Sequence, residues 1–109
     1  MGFIKNLMEK LVPVPRELGY ILAIDSKKIL YMISITEEKK KKEYIYTVSY
    51  EIGHHGVKEG PISHTEVIPV TAFNSMESFK ETFYNLKGLK NFPENSFEEL
   101  WDQIQSKLD

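Results

Sequence analysis

Between Glu43 and Ile52 the side chains alternate in character. Tyr44, Tyr46, Val48, Tyr50 and Ile52 hold one set of positions; Ile45, Thr47, Ser49 and Glu51 hold the other. Successive side chains of a strand point to opposite faces, so this spacing predicts a half-buried β-strand with an aromatic and aliphatic face toward a core. Ile29, Tyr31, Ile33 and Ile35 repeat the pattern one segment earlier and predict its hairpin partner, with the charged run Glu37–Lys42 as the tip. Tyr20–Asp25 predicts a strand before that, although Pro15-Arg16-Glu17-Leu18 could instead open a helix. Asp25-Ser26-Lys27-Lys28 is turn-like. Gly53-His54-His55-Gly56 and Gly60-Pro61 mark a longer loop, and His64–Val70 predicts a fourth strand, at an edge or ending at Pro69. Short connections between neighbouring strands favour an antiparallel meander.

The two ends of the chain carry the helical period. Phe3, Ile4, Leu7, Met8 and Leu11 predict a short amphipathic helix over residues 2–11, ended by Val12-Pro13-Val14-Pro15. Asn74 with Glu77 predicts an N-cap, Met76, Phe79, Phe83 and Leu86 one apolar face, and Gly88 the stop. Ser96 and Glu99 form a second capping-box pattern, followed by the stripe Phe97, Leu100, Trp101, Ile104 and Leu108. Each stripe needs a surface to bury it, and the sheet supplies one. The expected architecture is a single α+β domain over residues 1–109: a short N-terminal helix, an antiparallel meander of about four strands, and two C-terminal helices packed on one face.

Composition narrows the function classes. The chain has no cysteine, which removes disulfides and thiolate chemistry. A formal net charge of −2, spread along the chain, argues against a whole surface that grips nucleic acid and against an acidic DNA mimic. Only Arg16 among the 14 basic residues is arginine, so bidentate readout of guanine or phosphate is poorly supplied. The Lys, Ile, Tyr, Asn and Phe bias resembles that of proteins from AT-rich genomes, including low-GC bacteria and their phages. No stretch has the apolar length of a membrane span, and Lys5, Glu9 and Lys10 break any signal-peptide core, so a cytoplasmic location is expected.

Four groups of residues could carry function. Lys39, Lys40, Lys41 and Lys42 at the hairpin tip, beside Tyr44, Tyr46 and Tyr50, could bind single-stranded nucleic acid by phosphate neutralisation and base stacking. The plainer reading is a solvated tip, with Glu37, Glu38 and Glu43 partly cancelling the lysines and the tyrosine face turned to the core. His54, His55 and His64, with Glu51, Glu59 or Glu66, could assemble a metal or acid–base site, but no strong ligand spacing links them, and no metal is expected. The N-terminal helix is too weakly basic for a membrane anchor and is expected to pack on its own sheet. Trp101 falls on the stripe expected to face the core rather than at an interface. Neither a nucleophile elbow nor a phosphate-binding loop occurs.

These readings favour a non-enzymatic binding protein without a cofactor, of the adaptor, immunity or phage-type inhibitor kind, acting by protein–protein contact and steric occlusion. The expected contact region is the tip Lys39–Lys42 and the loop Gly53–Pro61, with His54, His55 and Lys58, because loops on a rigid sheet carry function. The alternatives are a nucleic-acid-binding accessory protein using the lysine tip and a metal-assisted hydrolase using the histidines. An edge strand near Pro69 leaves a homodimer open.

Overall fold

The computed structural model describes residues 15–54 and 62–108 of the chain. Strands β1 (Arg16–Ile24), β2 (Ile29–Lys40), β3 (Glu43–His54) and β4 (Ile62–Ile68) form one sheet in that order, every neighbour antiparallel. A 3-10 turn at Val70–Asn74 leads into helix α1 (Met76–Tyr84), and helix α2 (Glu94–Leu108) follows. The α+β meander with two C-terminal helices is therefore the architecture found. The helix expected over residues 2–11 lies outside the described residues.

The strand period decides which face is covered. Tyr31, Ile33 and Ile35 of β2 lie opposite Ile52, Tyr50 and Val48 of β3. With Leu18, Ile21 and Ala23 of β1 and Ile68 of β4 they form the buried side of the sheet. Both helices lay their stripes on that side. Phe79 and Phe83 of α1 and Phe97, Leu100 and Ile104 of α2 join the same core, with Leu89 and Phe92 from the connecting segment. Phe79 sits at its centre, with the rings of Phe73, Phe83, Phe97 and Trp101 at centroid distances of 5.4 to 5.8 Å. Burying large side chains of this kind contributes on the order of 1.5–3 kcal/mol each, which outweighs the modest helix propensity of the phenylalanines. Trp101 is half-buried against Phe79, as its place on the stripe predicts.

The tyrosines on the covered face keep their polar ends satisfied at its margin. Tyr50 donates its hydroxyl to the Lys87 carbonyl, Tyr84 to the Phe92 carbonyl, Tyr46 to Glu37 and Tyr31 to Asp25, each at 2.9 Å. A buried hydroxyl without a partner costs about 1–3 kcal/mol, so these bonds are a condition for tyrosine in the core. No buried side-chain polar atom among the described residues lacks a partner.

Element boundaries differ from the sequence expectation at several strand and helix ends. β1 begins at Arg16 rather than Tyr20, so Pro15-Arg16-Glu17-Leu18 opens a strand and not a helix. It pairs with β2 from the outset, through Arg16↔Glu37, across an irregularity between Glu17 and Gly19. β2 continues to Lys40, so the charged run Glu37–Lys40 is strand and only Lys41-Lys42 forms the turn. β4 ends at Ile68, one residue before Pro69, which cannot donate to a ladder. α1 is capped by Ser75 rather than Asn74, its Oγ accepting from the Ser78 amide at 3.1 Å, and it ends at Tyr84, ahead of Gly88. α2 starts at Glu94, with the Pro93 carbonyl accepting from the Phe97 amide, which leaves Ser96 inside the first turn.

Candidate functional site

The β2–β3 hairpin is longer than its neighbours. β1 pairs with β2 no further toward the tip than Glu37, and β4 pairs with β3 no further than Tyr46. Residues 38–45 therefore project past the four-stranded sheet as a two-stranded arm, held by the register Glu38↔Ile45, Lys39↔Tyr44 and Lys40↔Glu43. Lys39, Lys40, Lys41 and Lys42 are all exposed along its end.

The root of the arm is tied to both flanking strands by one carboxylate. Glu37 forms an ion pair with Arg16 Nε of β1 at 3.4 Å through Oε1 and accepts from the Tyr46 hydroxyl of β3 at 2.9 Å through Oε2. Burial, and then the bond to Glu37, push the Tyr46 phenol above its ordinary value and keep it protonated as the donor. The tip is less relaxed. Two-residue hairpin loops favour Gly, Asn or Asp, because their central residues take positive φ. Lys41 holds that place with φ 57°. Lys39 Nζ lies 5.8 Å from the Tyr44 ring centroid, across the arm. Of the tyrosines proposed as a stacking platform, Tyr46 and Tyr50 are buried, and Tyr44 alone is exposed beside the lysines.

The remaining candidates stand elsewhere. His54 ends β3 opposite Ile29, eleven residues from Glu43. At about 3.3 Å per residue, the lysine tip and the start of the second loop are about 36 Å apart along the strand. They belong to opposite ends of the sheet and do not form one patch. His55 and Lys58 lie outside the described residues. His64 is half-buried on β4, its ring stacked on Tyr50 at 5.0 Å. Among the described residues no three His, Asp or Glu side chains converge as metal ligands. Nor is any helix there long and apolar enough to cross a membrane.

Sequence reasoning missed one surface. The side of the sheet away from the helices carries Tyr20, Leu22, Ile24, Leu30 and Met32 at its β1–β2 end, with Leu22 opposite Met32 and Ile24 opposite Leu30. Toward β3 and β4 the same side turns polar, with Ser49, Glu51, Ser63 and Thr65. The signal was present in the sequence: Tyr20–Ile24 and Ile29–Ile33 are nearly unbroken apolar runs, the mark of strands apolar on both faces.

No family model, no curated protein and no solved structure matches the chain.

Proposed function

We propose that this chain is a non-enzymatic cytoplasmic binding protein, of the adaptor, immunity or phage-type inhibitor kind. It acts by placing the arm of residues 38–45 in an acidic recess of a partner protein and blocking it. The observation that supports this is the arm itself: a paired ribbon beyond the body of the sheet, with four exposed lysines and a lysine where a turn prefers glycine or asparagine. An unfavourable backbone conformation kept at an exposed tip points to selection for the side chain. Arm and root are pre-ordered by ladder pairing and by the Glu37 bridge, so little ordering entropy is lost on docking. A protein partner fits better than a nucleic acid for three reasons. Glu38 and Glu43 interrupt the positive charge, arginine is absent from the arm, and a single exposed tyrosine offers little stacking surface.

The test is affinity capture from nuclease-treated lysate with the wild-type chain and with a variant in which Lys39–Lys42 are all alanine. The thermal unfolding of both is checked first. A partner held by the wild type and lost by the variant is the expected result. A captured set that the variant retains overturns the reading. Binding that disappears on nuclease treatment transfers the arm to nucleic acid.

A further inference from the structure

We infer that the hollow between Tyr20 and Glu51, on the side of the sheet away from the helices, binds a small organic cation: an ammonium group carried on a short apolar body. This inference is independent of the role of the arm.

The hollow follows from side-chain size across the sheet. Tyr20, Ser34, Ser49 and Thr65 lie side by side from β1 to β4, and Leu22, Met32, Glu51 and Ser63 form the next row. Residues two apart on a strand share a face, so both rows stand on the same side. Where the short serines meet the taller Tyr20, Met32 and Glu51, the surface drops by a volume of about 290 Å³. Small-molecule sites begin at about 300 Å³, so the hollow suits a small ligand. Tyr50 and His64 border it through their backbone, because alternation turns their stacked rings to the helix side.

The two ends of the hollow differ in chemistry. At the β1–β2 end Tyr20 is 44% exposed, with half-buried Met32 beside it. The Tyr20 amide donates to Gln103 Oε1 at 2.9 Å, which fixes this wall against α2. At the other end stands Glu51, the one carboxylate of the lining. It is half-buried, and among the described residues no cation pairs with it: the ion pairs there join Arg16 to Glu37 and Lys80 to Glu94. The Ser63 hydroxyl donates to Glu51 Oε1 over a long 3.4 Å, which leaves the carboxylate with acceptor capacity to spare.

That combination selects a ligand. A partly desolvated carboxylate gains most from a cationic donor. A tyrosine ring within about 6 Å attracts the same cation or packs on its apolar body. Tyr20 and Glu51 are two strands and two residues apart, about 12 Å between backbones, so their side chains leave room for one small ring or a short alkyl chain. The hydroxyls of Ser49 and Ser63 accept further ammonium protons. An anion is repelled by Glu51, and a neutral polyol leaves its charge unmatched.

Nuclear magnetic resonance titration of the full chain with phenethylammonium, and separately with neutral 2-phenylethanol, tests this. The expected result is saturable shifts of the Met32 methyl and of the Ser49, Glu51, Ser63 and Thr65 amides, with the alcohol binding at least about tenfold more weakly. Glu51→Gln should weaken the ammonium by about tenfold. Ser49→Leu, which fills the floor and keeps the carboxylate, should abolish binding; thermal unfolding of both variants is checked first. Shifts that do not saturate, or that fall outside these residues, overturn the inference. Equal affinity for the alcohol overturns it on the wild-type chain alone, without recourse to either variant. Undiminished binding by Glu51→Gln or by Ser49→Leu overturns it as well.

Discussion

Lys41 and Asp25 illustrate how differently single residues contribute to this fold. At Lys41 the local rule is broken, since a β-carbon at positive φ costs about 1–2 kcal/mol relative to glycine. Replacing Lys41 by Gly or Asn should raise stability by about 0.5–1 kcal/mol, read by denaturant unfolding. The same change should weaken capture of the partner if the side chain is kept for contact. Asp25 does the opposite and enforces the turn between β1 and β2. Its Oδ1 accepts from the Lys27 and Ile29 amides at 2.8 and 3.0 Å, and its Oδ2 from the Tyr31 hydroxyl at 2.9 Å. Desolvation, the largest single influence, pushes this carboxyl up, but the bonds from Ile29, Tyr31 and Lys27 together outweigh it and hold it below its ordinary value. Because the folded pKa is depressed, the stability this provides is present above the ordinary carboxylate range and is lost as pH falls through the lowered value. Tyr31 mirrors it. Burial first, and Asp25 second, push its phenol up to about 12. Stability from that proton is complete below about 10 and lost as pH rises toward 12. Unfolding followed against pH should thus weaken at both extremes, and Asp25→Asn should flatten the acid limb. The turn was legible in Asp25-Ser26-Lys27-Lys28, but the reach of Tyr31 back to Asp25 was not, because it depends on a ladder register that sequence leaves open.

At the scale of elements, packing overrides propensity where the two disagree. Gly19 lies in β1, where a β-branched residue would ordinarily be favoured. A β-carbon there would stand 2.9 Å from Leu100 Cδ1 and 3.4 Å from Ile104 Cγ1, so α2 rests against the bare backbone. Just beyond, Gln103 Oε1 accepts from the Tyr20 amide at 2.9 Å, so α2 also covers part of the sheet's open edge. Gly19→Val should therefore destabilise by about 1–3 kcal/mol, the overpacking range, whereas strand propensity alone predicts a gain. Thermal unfolding of the one variant decides the sign. The strands themselves were legible because period 2 is strong over Ile29–Ile35 and Tyr44–Ile52, and the helix stripes because period 3.6 is strong over Phe79–Phe83 and Phe97–Ile104. Their ends were less so. The caps at Asn74 and Ser96 are sound local signals that lost to Ser75 and Pro93, where the chain has to turn to keep Phe79 and Phe97 over the sheet.

At the scale of the whole molecule, the meander leaves three distinct surfaces: a side closed by α1 and α2, an apolar end on the other side, and the projecting arm. The lysine tip could be read from the sequence as a candidate. That it stands apart from His54, at the far end of a 12-residue strand, could not, because distance between two candidates is a property of register and not of spacing along the chain. On the proposed reading the arm makes the contact, and the partner should protect it. Hydrogen–deuterium exchange of the chain, free and with the partner captured by the wild type, measures this most directly. Slowed exchange concentrated in residues 38–45, with α1 and α2 unchanged, is the predicted result. Protection confined to other segments, with the arm exchanging as in the free chain, would contradict the account.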